Sequence, residues 1–262
     1  YSKLTALPNE FGNLTALEEL NLGYSDIVQL PTEFGCLVCL KRLDLSSCPL
    51  AALPNEFGNL ISLEELTLKN NNVLELPQGF GRLVRLKKLN LSYCGLTALP
   101  KEFGNLTSLE DLDLNAHNVG INATSIAQLP QEFGRLVRLR KLDLSCCKLT
   151  ALPNEFGNLT SLEELNLSGT SIAQLPQEFG RLVRLKKLNL HYSKLTALPN
   201  EFGNLTSLED LDLNATSIVQ LPQEFGWLVN KLFSHKLTAL PNEFGNLTSL
   251  EELNVSGTSI AQ

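Results

Sequence analysis

The stretch Leu162-Glu-Glu-Leu-Asn-Leu-Ser-Gly-Thr-Ser-Ile-Ala-Gln-Leu-Pro-Gln-Glu-Phe-Gly-Arg-Leu-Val-Arg184 decides the fold. Near-copies of it fill the chain of 262 residues. Its Leu175-Pro176 pair recurs eleven times, with leucines at 7, 30, 53, 76, 99, 129, 152, 175, 198, 221 and 240. Eight of the ten gaps are 23 residues long; one is 30 and one is 19. A fixed period of roughly 20–29 residues means stacked units rather than one central core. One such unit cannot bury its apolar face alone, so the units must pack on one another.

Within a unit, Leu162, Leu165 and Leu167 form L-x-x-L-x-L. The alternation over Leu165, Asn166 and Leu167 has period two, a strand signal with leucines inward and the intervening residues outward. Strand cores are expected at 17–22, 40–45, 63–68, 86–91, 109–114, 139–144, 162–167, 185–190, 208–213 and 250–255, parallel and in register. The second half opens with Pro176, which suits the first position of a short helix, and Glu178 favours its first turn. Gly180 prevents a long helix. A single α or 3₁₀ turn on the outer face is predicted. Eleven of the twelve phenylalanines, Phe11 through Phe244, share one position of the repeat and should stack into an aromatic spine.

The pattern L-x-x-L-x-L-x-x-(N/C/T)-x-L…L-P resembles the leucine-rich repeat family. The resemblance implies an α/β repeat solenoid of about eleven repeats. It would be a horseshoe with a parallel sheet on the concave face and short α or 3₁₀ turns on the convex face, one domain over 1–262. The 23-residue unit is similar to the intracellular, Ras-suppressor-like class. The wording of residues 157–172 is similar to repeats of plant intracellular immune receptors. The function implied is a protein-binding surface, because the family is a scaffold with many uses.

The ninth position, usually Asn in that family, is here Ser25, Cys48, Asn71, Cys94, Thr124, Cys147, Thr170, Ser193, Thr216 and Thr258. All of these side chains can donate to a buried carbonyl. Cys48, Cys94 and Cys147 are therefore read as buried, reduced ladder residues. Cys36 and Cys39 form a lone C-x-x-C where other units carry Arg, as at Arg181 and Arg184, with no His or second pair to complete a zinc site. Cys146 falls near the rim of the inner face. Visible disulfide caps are missing, which favours a reducing compartment. Sequons such as Asn13-Leu14-Thr15 and Asn214-Ala215-Thr216 are by-products of the repeat.

Outward strand residues form the inner face. The third position runs Glu19, Arg42, Glu65, Lys88, Asp111, Lys141, Glu164, Lys187, Asp210, alternating in sign throughout; the second position, from Glu18 and Lys41 to Glu209, does the same. Strands lie about 4.8 Å apart, so each acid sits between two bases. The charge pattern therefore repeats every two units, and it fixes register, because a one-unit slip would oppose like charges. The fifth position is unbalanced, with Asp44, Asp113, Asp143 and Asp212 among Asn and Thr. Asp113 and Asp143 are neighbours; they invite a cation, a proton or a basic partner, or are satisfied by Arg140 and Lys141.

The period breaks twice. A seven-residue insertion, equivalent to Ala116-His117-Asn118-Val119-Gly120-Ile121-Asn122, leaves the strand that carries Asp113. Loops grafted on rigid scaffolds carry binding contacts, making His117 and Asn118 candidates. Between Phe225 and Leu240 four residues are missing, and a short or absent strand is expected near Lys231–Phe233. Trp227, the only tryptophan, either fills a packing gap there or anchors a partner. Tyr24, Tyr93 and Tyr192 occupy the eighth position on the rim, with His191 beside Tyr192, and complete the candidate partner-binding set.

A net charge of −7 and the absence of a basic stripe argue against nucleic-acid binding. No apolar run is long enough to span a membrane. His117, His191 and His235 are too scattered for a catalytic pair or metal triad, and no phosphate-binding glycine motif is present. Neither catalysis nor a cofactor is expected. The chain contains no Met and starts and stops in mid-repeat, so it reads as a segment of something longer whose ends could associate end to end. The expected role is a cytoplasmic protein-interaction scaffold. The alternatives are the sensing or autoinhibitory arm of a larger signalling protein (GTPase, ATPase or ligase) and an extracellular recognition domain.

Overall fold

A computed structural model describes residues 3–116, 126–223, 230–241 and 250–256. Eleven strands form one parallel sheet in sequence order. They are β1 Glu19–Asn21, β2 Arg42–Asp44, β3 Glu65–Thr67, β4 Lys88–Asn90, β5 Asp111–Asp113, β6 Lys141–Asp143, β7 Glu164–Asn166, β8 Lys187–Asn189, β9 Asp210–Asp212, β10 Lys231–Phe233 and β11 Glu252–Asn254. Register follows the repeat: Glu19 faces Arg42, Leu66 faces Leu89, and Asp113 faces Asp143.

Each strand has three residues, half the length the alternation predicts. Where the fifth position is Asn or Asp, that side chain ends the strand. Its carbonyl or carboxylate oxygen accepts the N–H two residues on, at 2.8–3.1 Å, as in Ser46 N–H to Asp44, Ser168 N–H to Asn166 and Ser256 N–H to Asn254. This Asx turn bends the chain out of the sheet. The eighth residue then adopts a left-handed conformation, with φ of 58° at Tyr24, 57° at Tyr93, 59° at Cys146 and 68° at Gly169.

Opposite the sheet, nine five-residue 3₁₀ turns lie among the described residues, from Asn9–Asn13 to Asn200–Asn204. The proline precedes each turn rather than opening it, and its carbonyl accepts the phenylalanine N–H three residues on. The turns are 3₁₀ rather than α because the glycine after each Phe lies against the next unit. A Cβ on Gly157 would overlap the Glu178 carbonyl oxygen, which enforces a tight coil and close stacking. From Phe11 to Phe202 successive rings lie 6.1–6.4 Å apart and within 3° of parallel. Inward leucines such as Leu142, Leu165 and Leu167 fill the space between spine and sheet.

The shortened unit keeps its strand, contrary to the expectation of a short or absent one. β10 matches its neighbours in length and pairs with both. Leu198 precedes Asp210 by twelve positions and Leu221 precedes Lys231 by ten; Asp212 precedes Leu221 by nine and Phe233 precedes Leu240 by seven. The deletion is thus divided, two residues on each side. The connecting arcs shorten while the sheet hydrogen bonds, the least dispensable part, are retained. Ser234 then takes the place of a core leucine, fully buried and with its hydroxyl unpartnered.

Candidate functional site

The concave sheet is the broad surface on which side chains of all eleven strands converge. Its outer rows carry the alternating charges, now seen as ion pairs. In the second position Lys41 meets Glu18 at 2.8 Å, Lys87 meets Glu64 at 2.8 Å, and Glu163 is held by Arg140 at 2.7 Å and Lys186 at 3.1 Å. Hydrogen bonds from Arg140 and Lys186 keep the Glu163 carboxyl below the usual carboxylate range. In the third position Arg42 pairs with Glu19, Lys88 with Glu65 at 3.0 Å and Lys141 with Glu164 at 3.4 Å. The row continues past Asp210, with Lys231 on β10 meeting Glu252 at 3.7 Å. Asp111 and Asp210 are a methylene shorter than Glu and form no ion pair among the described residues. Such exposed pairs are screened by solvent, so they set register more than stability.

The fifth-position row behaves differently. Asp113 and Asp143 are directly opposed in register. Arg140 and Lys141 do not relieve them, because those cations are bound to Glu163 and Glu164. Side-chain amides do so instead: Asn90 donates to Asp113 at 3.1 Å from one side, and Asn166 donates to Asp143 at 3.1 Å from the other. These neutral donors leave both charges in place. Burial, then the charge of Asp143, raises the Asp113 carboxyl against the lowering effect of the Asn115 N–H and of Lys69. Among the described residues no group of three or more His, Cys, Asp or Glu could hold a metal ion.

The sequence-derived candidates separate into groups. Asp113, Asp143 and Asp212 line one concave trough of about 570 Å³, and Asp44 lines its continuation. Tyr24, Tyr93 and Tyr192 stand on one rim but on well-separated units. Tyr24 and Tyr192 are exposed, while Lys69 lies 5.5 Å over the Tyr93 ring. His191 packs edge-on against Tyr192 at 4.4 Å, with its Nδ1 3.9 Å from Asp212 Oδ1, too far for a hydrogen bond. His117, Asn118 and Trp227 lie outside the described residues.

Two features escaped the sequence reading. Phe233 places an aromatic ring in the Asn/Asp row, between Asp212 and Asn254; aligning the deletion on the strand would have found it. Arg138 and Arg184 line a small pocket with Arg140 and Glu163, so these loop residues belong to the concave rim where each strand begins.

The ninth-position ladder forms in two ways. Cys94 and Asn71 donate back to a carbonyl of the preceding unit, Cys94 to Leu68 at 3.1 Å and Asn71 to Leu45 at 2.8 Å. Thr170 bonds its own unit at Leu167, 2.8 Å away. Ser193 is too short for the first mode and its hydroxyl has no partner. None of the six cysteines is joined in a disulfide.

These elements define a repeat solenoid with an open, polar, concave face, the architecture of a binding scaffold. The leucine-rich repeat region family model matches residues 32–131, 127–195 and 177–261. The chain belongs to the leucine-rich repeat family. It is similar to a Leptospira interrogans leucine-rich repeat protein, at 31% identity over 99% of this chain and 77% of that one, with a TM-score of 0.63. The plant peptide hormone receptor RGFR1, solved in complex with RGF2, is 29% identical over 98% of this chain and 42% of its own, with a TM-score of 0.77. An internalin from Listeria monocytogenes shares the fold at 21% identity and a TM-score of 0.70, covering 100% of this chain and 80% of that one. A comparison with curated proteins finds no match. The chain thus spans most of the Leptospira structure but under half of the plant receptor.

Proposed function

We propose that the protein is a non-catalytic scaffold that binds a partner protein on the concave face and its rim, in the cytoplasm. The observation carrying this reading is the unpartnered concave sheet itself, with a trough that runs past Asp113, Asp143 and Asp212 to Phe233. The complex of the plant receptor supports a peptide or protein ligand. A net charge of −7 supports a protein partner over a phosphate backbone. Six cysteines with no disulfide among them support a reducing compartment. Among the described residues no helix is long and apolar enough to cross a membrane.

The chain's partial span of the plant receptor supports a second reading, in which it is the sensing arm of a larger signalling protein. End-to-end association of copies is the self-contact this scaffold would make.

Photo-crosslinking tests the binding surface. A photoreactive side chain at Tyr192 or Phe233 is expected to capture the partner, and one at Asn158 on the convex edge is not. Equal capture from both faces would overturn the concave-face reading.

A further inference from the structure

The concave face has two edges of opposite charge. Where β4, β6 and β8 begin, Arg85, Arg138 and Arg184 are exposed; Glu110 and Glu163 share a pocket with Arg138 and Arg184, but none of the described carboxylates forms an ion pair with these arginines. Where each strand ends, Asp44, Asp113, Asp143 and Asp212 face the trough in a row that holds no cation. Lys141, Lys187 and Lys231 line the same trough from the neighbouring row, and Lys69, just beyond the aspartates, lies over the Tyr93 ring. Between the two edges, the paired rows largely neutralise themselves. The charge left for a ligand is therefore positive along one edge and negative along the other.

We propose that this trough takes a helical segment of a partner protein that is acidic along one flank and basic along the other. The proposal rests on the concave-face reading above. Three dimensions favour a helix. Across the trough, the five steps from Arg138 to Asp143 span at most about 16 Å at roughly 3.3 Å per residue. A helix with its side chains is about 10–12 Å wide and fits between the edges. Along the trough, the rim arginines recur on every second strand, about 9.6 Å apart at roughly 4.8 Å per strand. One heptad of helix rises about 10.5 Å, so one acidic residue per seven meets successive arginines. An extended chain returns to the same flank about every 6.8 Å and falls out of step. On the other edge, Asp44 and Asp212 each stand three strands outward from the central Asp113–Asp143 pair. That spacing is about 14 Å, or roughly ten helical residues. Phe233 follows Asp212 in the row, where an apolar residue of the helix would sit.

The test uses defined peptides, the full chain and fluorescence anisotropy. The first peptide is a 21-residue stapled helix with Glu on one flank at heptad spacing and Lys on the opposite flank. The second has the same composition with Glu and Lys mixed on both flanks. The third carries the same flank charges on a proline-interrupted, extended backbone. The two-flank helix should bind at least tenfold tighter than either control, and more weakly as salt rises. Joint Arg138→Glu and Arg184→Glu substitution should reduce that binding about tenfold and improve binding of a helix with Lys on both flanks. The milder pair Arg138→Gln and Arg184→Gln serves if the reversal disturbs folding, read by circular dichroism, and should give a smaller loss.

Equal binding of the mixed helix or the extended peptide overturns the proposal. So does indifference to both rim variants. If a partner crosslinks at Tyr192 while the two-flank helix fails to bind, only the helical refinement falls. If neither occurs, the concave-face reading falls with it.

Discussion

At the scale of single residues, the ladder cysteines and the opposed aspartates have environments that make measurable demands. Burial pushes the thiols of Cys94 and Cys147 up to about 12 from an ordinary 9.0. Native thiols then stay protonated while the unfolded chain ionises. Their contribution to stability is therefore intact below about pH 9 and lost as pH rises from 9 toward 12. Alkaline denaturation followed by circular dichroism should show this fall, and Cys94→Ser with Cys147→Ser should flatten it. Maleimide labelling of the native protein should modify the exposed Cys36 and Cys39 and spare Cys48, Cys94 and Cys147. Asp113 is a different case. Its carboxyl is raised mainly by burial, so the charged form is disfavoured in the fold. Stability linked to it is present below its unfolded value of 3.8 and is lost as pH rises through the higher folded value. Asp113→Asn keeps the oxygen that accepts the Asn115 N–H, gives up the part-buried bond from Asn90 and removes the charge opposed to Asp143. The variant should therefore be as stable as the native protein or more so at pH 7, with the difference vanishing near pH 3 in thermal melts.

At the scale of the element, most described units are a three-residue strand, an Asx turn, a left-handed residue and a 3₁₀ turn seated on a phenylalanine. The spine is continuous, so removing one ring affects two interfaces. Phe156, fully buried between Phe133 and Phe179, is the clearest case. Phe156→Ala should lower stability by about 3–5 kcal/mol in urea titration, since a cavity opens that flanking rings cannot fill. A loss under about 1 kcal/mol would mean that the spine is not a shared core. The strands, the proline-led turns and the spine were legible from the leucine alternation and the period of the phenylalanines. The Asx turn was not, because Asn and Asp after a leucine read as generic polar strand residues. Only the N–H groups of Ser46 or Ser168, turned back toward them, reveal their task. The same holds for Tyr24, Tyr93 and Tyr192. Their place on the rim is a matter of spacing, but a positive φ, uncommon for a bulky side chain, comes from the turn geometry.

At the scale of the whole molecule, a solenoid is stable through intrinsic terms and nearest-neighbour interfaces, so one weak unit localises its failure. The unit of β10 carries the buried, unpartnered Ser234 hydroxyl where its neighbours place Leu213 and Val255. Ser234→Ala removes that hydroxyl without adding volume and should raise stability by about 1 kcal/mol. Native-state hydrogen exchange should show slower opening of the Lys231–Phe233 and Glu252–Asn254 amides in the variant. No change there would mean that the unit is not the weak point.

The sequence alone determined the architecture. A repeat of fixed length with inward leucines has one way to bury its apolar face, and alternating charge admits one register. Tertiary structure decided what lies opposite what across the units. It showed that Arg140 and Lys141 are bound to Glu163 and Glu164 and so leave Asp113 and Asp143 to Asn90 and Asn166. It showed that a four-residue deletion is split around an intact strand and brings Phe233 into the concave row. It also brought Arg138 and Arg184 to the edge opposite the aspartates. The physical reason is common to all three. Periodicity fixes which face a residue occupies, but side-chain reach and competition among several partners decide which contacts form, and these depend on distances that no single repeat contains.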